Sequence, residues 1–245
     1  MLKKILPKQH HFLHFSQRFF WLAFLSWLGY LFSLKIIRHR SLKNHHHRKL
    51  DRPVIVVANH VSAWDPFLIL AAMNRRFFFR QLLWRLPAYH GHFKKPHNRA
   101  LFGFLGVYPI GGGGSTLEEK LKSTLDLLKG GYNSVFFPQG KRVKMGEQAE
   151  AKPGISYLLK QAQVYVLPVY IDYTRRGKDG HGARLGRAGV VFGELIKSEH
   201  FVEKYPEEEL PEVVMKKVNS LGEVLGERLM AEQEQELLAR IGNLG

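Results

Sequence analysis

The sequence predicts an α/β fold: a mostly parallel central sheet flanked by helices, with an N-terminal membrane-associated helical segment. Three observations predict it. Short continuous apolar runs, such as Val54-Ile55-Val56-Val57-Ala58, have the character of strands buried on both faces. They alternate with stretches that carry helix-start signals, the pattern of a parallel α/β sheet. An uncharged run, FFWLAFLSWLGYLFSL over 19–34, stands ahead of them all between basic flanks.

At 245 residues the chain suits one large domain with appendages and can bury a substantial core. It divides into a basic, hydrophobic membrane-anchoring segment (1–50), an α/β domain (51–205) and an acidic C-terminal helical segment (206–245). The formal charge is +16, from 37 Lys and Arg against 21 Asp and Glu. Such a surplus suits nucleic acid or an anionic membrane surface. Its placement favours the membrane, because the strongly basic N-terminal region also holds the most hydrophobic run. There is no cysteine, which excludes disulfides, thiolate metal sites and cysteine nucleophiles and fits a reducing compartment.

The run at 19–34 is apolar all round, so it does not read as an amphipathic surface helix. It falls short of the about 20 apolar residues that span a bilayer, although Ile36 and Ile37 extend it past Lys35. Trp21, Trp27 and Tyr30 suit the membrane interface, so a helix in one leaflet or just spanning is expected. No small-residue cleavage site follows, as a signal peptide requires. Residues 38–52 read as a polar linker. Its His45-His46-His47 has no preorganised ligand set around it, so no metal site is expected.

The globular part is expected from Pro53, with its first strand at 54–58. Asp65-Pro66 then opens a helix through Met73, Asp as N-cap and Pro as first helical residue. Residues 77–105 mix aromatic and basic residues in short helices broken at Pro87, Gly91 and Pro96. Packing explains Phe77-Phe78-Phe79-Arg80 and Trp84-Arg85 better than base stacking, and no nucleic-acid partner is expected. A second strand at 106–110 leads to Gly111-Gly112-Gly113-Gly114. No Gly-Lys-Ser/Thr follows, so this is a turn and not a nucleotide loop. Ser115 and Thr116, with Glu118 and Glu119, form capping-box patterns that open a helix over 117–129. Strands follow at 134–137, 164–171 and 189–192, a helix at 154–163, and mostly helix over 206–241.

The chemistry concentrates in Asn59-His60-Val61-Ser62-Ala63-Trp64-Asp65. His60 follows a buried strand at its C-terminal end, where α/β sheets place ligand chemistry. In a tight strand–loop–helix turn the Asp65 carboxylate can reach its ring. Such a pair fixes the imidazole tautomer and lets the other ring nitrogen take a proton from a hydroxyl. The spacing alone also fits a loop histidine beside a helix-capping aspartate. A second constellation, Phe137-Pro138-Gln139-Gly140-Lys141-Arg142, follows another buried strand and puts two cations at the mouth of the sheet, suited to an anion.

In these blocks the chain resembles the glycerophosphate/lysophosphatidate (PlsC-like) acyltransferases. The four ordered family blocks correspond to Asn59–Asp65, Gly106–Gly112, Phe137–Arg142 and Val166–Tyr170, and the likeness covers about residues 50–200. The resemblance implies His60 and Asp65 as a catalytic dyad and Gln139, Gly140, Lys141 and Arg142 as substrate-binding residues. It implies transfer of a fatty acyl chain from acyl-CoA or acyl carrier protein to a lysophospholipid hydroxyl, 1-acylglycerol-3-phosphate above others, in phospholipid synthesis. It implies membrane lipid and an acyl thioester donor as partners, no cofactor, and a place at the cytoplasmic face of the cell membrane. Two departures stand out. Gln139 and Lys141 replace the family's glutamate and threonine, and glycines replace an arginine of the second block. They leave a lyso-aminolipid or glycolipid acceptor as an alternative. A basic membrane- or nucleic-acid-binding protein without catalysis ranks last.

Overall fold

The structure is a computed structural model that describes residues 23–31, 34–38, 50–73, 78, 84–111, 116–144, 147, 150–173 and 188–242. It has helix α1 (23–31), β1 (Lys35–Arg38), β2 (Val54–Ala58), α2 (Asp65–Ala72), β3 (Trp84–Tyr89), a 3-10 turn (His90–Phe93), α3 (Pro96–Phe104) and β4 (Val107–Ile110). There follow α4 (Leu117–Lys129), β5 (Asn133–Phe136), α5 (Gly154–Gln161), β6 (Tyr165–Tyr173), β7 (Ala188–Phe192), β8 (Ile196–Lys197), α6 (Ser198–Val202) and α7 (Leu210–Gly242).

The strands form one sheet in the order β1-β7-β6-β2-β5-β3-β4, with β8 also on β6. β2 is parallel to both of its neighbours, β5 and β6, and β3 is parallel to β5 and β4. β7 and β8 run antiparallel to β6. The mostly parallel, helix-flanked sheet is the expected architecture.

Helices cover both faces. Side chains alternate along a strand, so Val54, Val56 and Ala58 meet one layer while Ile55 and Val57 meet the other. The first layer holds α1, α2 and α3; the second holds α4, α5, α6 and α7. All of β2 is fully buried, as its unbroken apolar run requires.

Two strands depart from the sequence expectation. Lys35–Arg38 was expected as helix extension and linker, yet it pairs in parallel with β7 at the sheet edge. An apolar Ile-Ile pair between two cations suits an edge strand equally well. The expected helices across 77–105 give way to β3 in their middle. Pro87 suggested a break, but the Leu86 N–H donates to the Gly106 carbonyl beyond β3, so the next residue's nitrogen faces β5. Pairing with β5 has ended by then, at Arg85, so proline leaves no rung unmade.

Helix α1 departs in a third way. Leu25 and Leu28 are buried on the first layer while Trp27 and Tyr30 face out, so this stretch is two-sided and not uniform. Burying a side chain such as Leu28 contributes about 1.5–3 kcal/mol, which holds a helix too short to persist alone. Among the described residues no helix is long and apolar enough to cross a membrane. His45-His46-His47 and Gly112–Ser115 lie outside the described residues.

Candidate active site

The loop after β2 is held by its own polar side chains. Asn59 is buried, donates its amide to the Ile171 carbonyl (2.8 Å) and accepts the Ile171 N–H (2.9 Å). It thus continues the β2–β6 pairing where the backbone turns away. The next residue is pinned from the other side. His60 donates its backbone N–H to Gln139 Oε1 (2.8 Å), and its carbonyl accepts the Val143 N–H (2.8 Å). Neighbouring β2 and β5 end level, with Val57 opposite Phe136, which sets these two loops side by side.

The His60 ring is fixed by face and by edge. It stacks on Phe137 with centroids 4.1 Å apart and planes 19° from parallel. Nδ1 lies 2.8 Å from Asp65 Oδ2. With a carboxylate there, Nδ1 carries the proton and Nε2 keeps its lone pair. The histidine side chain remains 19% exposed while Asp65 is at 0%, so the imidazole meets solvent and the carboxylate does not.

Asp65 was expected to cap α2. The N-cap is Trp64, which makes no side-chain cap hydrogen bond. The carboxylate turns back instead, and Oδ2 accepts the N–H groups of Val61 (2.7 Å) and Ser62 (2.8 Å). Its place in the first turn of α2 adds the positive end of the helix dipole. Oδ1 accepts the hydroxyl of Tyr173. Burial, then the Asp65 charge, pushes the Tyr173 phenol above its ordinary range, so it stays protonated as the donor.

Tyr173 was not foreseen, because β6 was expected to end at Ile171. The period of two gives the signal: Leu167, Val169, Ile171 and Tyr173 all face the layer that holds α2. A polar-tipped residue ending that series comes to the start of α2.

The expected substrate-binding residues separate into two roles. Gln139 is buried at 3% exposure, and its Oε1 is committed to the His60 backbone. Gly140 has φ +66°, a left-handed conformation suited to glycine, and a Cβ there would lie 3.1 Å from Lys152 Cδ and Nζ. Lys141 and Arg142 are exposed on the same turn. Lys152, which also donates its backbone N–H to the Pro138 carbonyl (2.9 Å), brings a third cation to it.

With this geometry in view, the similarities of the chain are these. The family model described as Acyltransferase matches residues 36–172, more than half of the chain. No curated protein sequence matches it. Among solved structures, the 1-acyl-sn-glycerophosphate (LPA) acyltransferase PlsC from Thermotoga maritima is similar, with 20% identity and a TM-score of 0.61. That likeness covers 91% of this chain and 86% of the other, so the fold is shared almost throughout. The family match spans both loops around His60 and Asp65, and the chain belongs to the Acyltransferase family.

Proposed function

We propose that the chain moves a fatty acyl group from acyl-CoA or acyl carrier protein to the hydroxyl of a lysophospholipid, 1-acylglycerol-3-phosphate above others, in phospholipid synthesis. The place proposed for this is the cytoplasmic face of the cell membrane. The reading rests above all on the His60–Asp65 pair, with its buried carboxylate and part-exposed imidazole.

In the proposed reaction the acceptor hydroxyl gives its proton to His60 Nε2 as its oxygen attacks the thioester carbonyl. The imidazolium that forms is stabilised by Asp65. The C–S bond then breaks, and His60 returns the proton to the departing thiolate. No acyl-enzyme intermediate is needed, since the acceptor supplies the nucleophile. Lys141, Arg142 and Lys152 supply positive charge for the acceptor phosphate or for the anionic donor.

Purified protein in detergent, given a labelled thioester donor and a panel of lysolipids, tests the reading. His60→Ala is expected to lower kcat by about 10²–10⁴-fold with an unchanged circular dichroism spectrum. Transfer that survives the substitution would sink the dyad mechanism. The same panel decides a second reading, an acceptor without phosphate. Glycine in place of the family's second-block arginine and Gln139 in place of its glutamate favour that reading, and it predicts faster transfer to a phosphate-free lysolipid.

A further inference from the structure

Helix α3 and the turn before it differ from the rest of the first layer. α1 buries Leu25 and Leu28, and α2 buries Leu68 and Ile69, but no residue of α3 is buried. Its C-terminal half is nonetheless apolar, reading Ala100-Leu101-Phe102-Gly103-Phe104. Among the described residues, Phe102, with Phe93 of the turn, packs partly against the core. Leu101 is 52% exposed and Phe104 38%, and Tyr89, where the turn begins, is 60% exposed. A helix this short does not persist in water by propensity alone.

The stretch of sequence that contains it carries one sign of charge. Between Asp65 and Glu118 there is no acidic residue, against Arg75, Arg76, Arg80, Arg85, Lys94, Lys95 and Arg99. Lys94, Lys95 and Arg99 are exposed beside the apolar half of α3. The same layer exposes Trp27 and Tyr30 on α1 and Trp64 beside the dyad. The opposite layer mixes both signs, with Glu118, Glu119, Asp126, Glu203, Glu207, Glu208 and Glu209 beside Lys120, Lys122, Lys129, Lys160 and Lys204.

We infer that α3 and its preceding turn dock on an anionic lipid surface, with Leu101 and Phe104 entering the interface and Lys94, Lys95 and Arg99 on the head groups. An apolar tip ringed by cations matches such a surface in both parts of its chemistry. Each cation there multiplies partitioning about five-fold. The choice of lipid over another acidic partner rests on the acyl-transfer reading, whose acceptor lies in a membrane. This contact is separate from the N-terminal apolar run. Together the two hold the exposed Trp64, and the dyad loop behind it, against the lipid.

The absence of cysteine makes the test direct, because a single introduced thiol reports one position. Full-length Leu101→Cys, Phe104→Cys and, on the opposite layer, Lys122→Cys are labelled with a polarity-sensitive fluorophore. Vesicles of phosphatidylcholine and phosphatidylglycerol in equal parts are then added. The labels at 101 and 104 are expected to shift to the blue and to escape quenching by aqueous iodide, while the label at 122 stays unchanged. Lys94→Gln/Lys95→Gln is expected to weaken vesicle binding about 30-fold, with transfer to a detergent-dispersed acceptor unaltered. The inference is overturned if the chain fails to sediment with these vesicles. It is equally overturned if the 101 and 104 labels remain open to iodide on sedimenting protein, or if the double variant binds like its parent. If the parent shows no transfer while the labels at 101 and 104 of the variants are protected, the enzymatic reading falls and the docking face stands.

Discussion

Asp65 shows how much a single side chain organises here. One oxygen holds His60 Nδ1 and the N–H groups of Val61 and Ser62, and the other holds the Tyr173 hydroxyl. A fully buried carboxylate needs such a shell, since an unpaired buried charge is strongly destabilising. Tyr173→Phe removes one donor and keeps the ring. It is expected to cost about 1.5–3 kcal/mol, the value of a hydrogen bond to a charged group, read as a lower urea midpoint. It should also lower kcat with KM unchanged, because Tyr173 bonds to Asp65 and not to the proposed substrate site; steady-state kinetics decide this. At this scale the sequence displayed His60 and Asp65 because one short loop carries both. Gln139 was visible as a residue but not in its role: its pairing with the His60 backbone depends on two loops meeting, which local sequence does not express.

At the scale of elements, the legible ones carry their own signals. Helix α4 has its expected bounds because Thr116 and Glu119 close a capping box and glycines end the helix. Strands β1 and β3 were hidden because their evidence lies in their partners: β7 accepts Lys35–Arg38, and the open side of β3 accepts Pro87. The turn from α3 into β4 gives a test. Gly106 has φ +71°, and a Cβ there would lie 2.8 Å from an Arg85 guanidinium nitrogen and 3.3 Å from the Trp84 carbonyl oxygen. Gly106→Ala is therefore expected to destabilise by at least about 1–2 kcal/mol, the left-handed strain alone. Chemical denaturation measures it, and a variant as stable as the parent would contradict the crowding.

For the whole molecule, buried and half-buried tyrosines link stability to pH. Burial holds Tyr108, Tyr170 and Tyr173 above the ordinary phenol range. Tyr108 also bridges Thr124 and Ser134, at 3.0 Å each, joining β4 to α4 and β5. A raised folded-state pKa gives stability that is whole below the unfolded value, about 10, and is lost as pH rises toward the folded one. The melting temperature is expected to fall steeply above about pH 10 and less steeply in Tyr108→Phe; thermal melts across that range check it. Sequence by itself determined the α/β class, the dyad pair, the cation-bearing turn after β5 and the family resemblance, because each is written in residues adjacent along the chain. Only the tertiary structure decided that Tyr173 completes the Asp65 shell, that Gln139 serves the His60 backbone, that Lys152 joins the cations, and that the exposed apolar residues of α1 and α3 share one layer. Those facts depend on strand register and on which helices cover which face of the sheet. Both arise from packing among segments far apart in sequence.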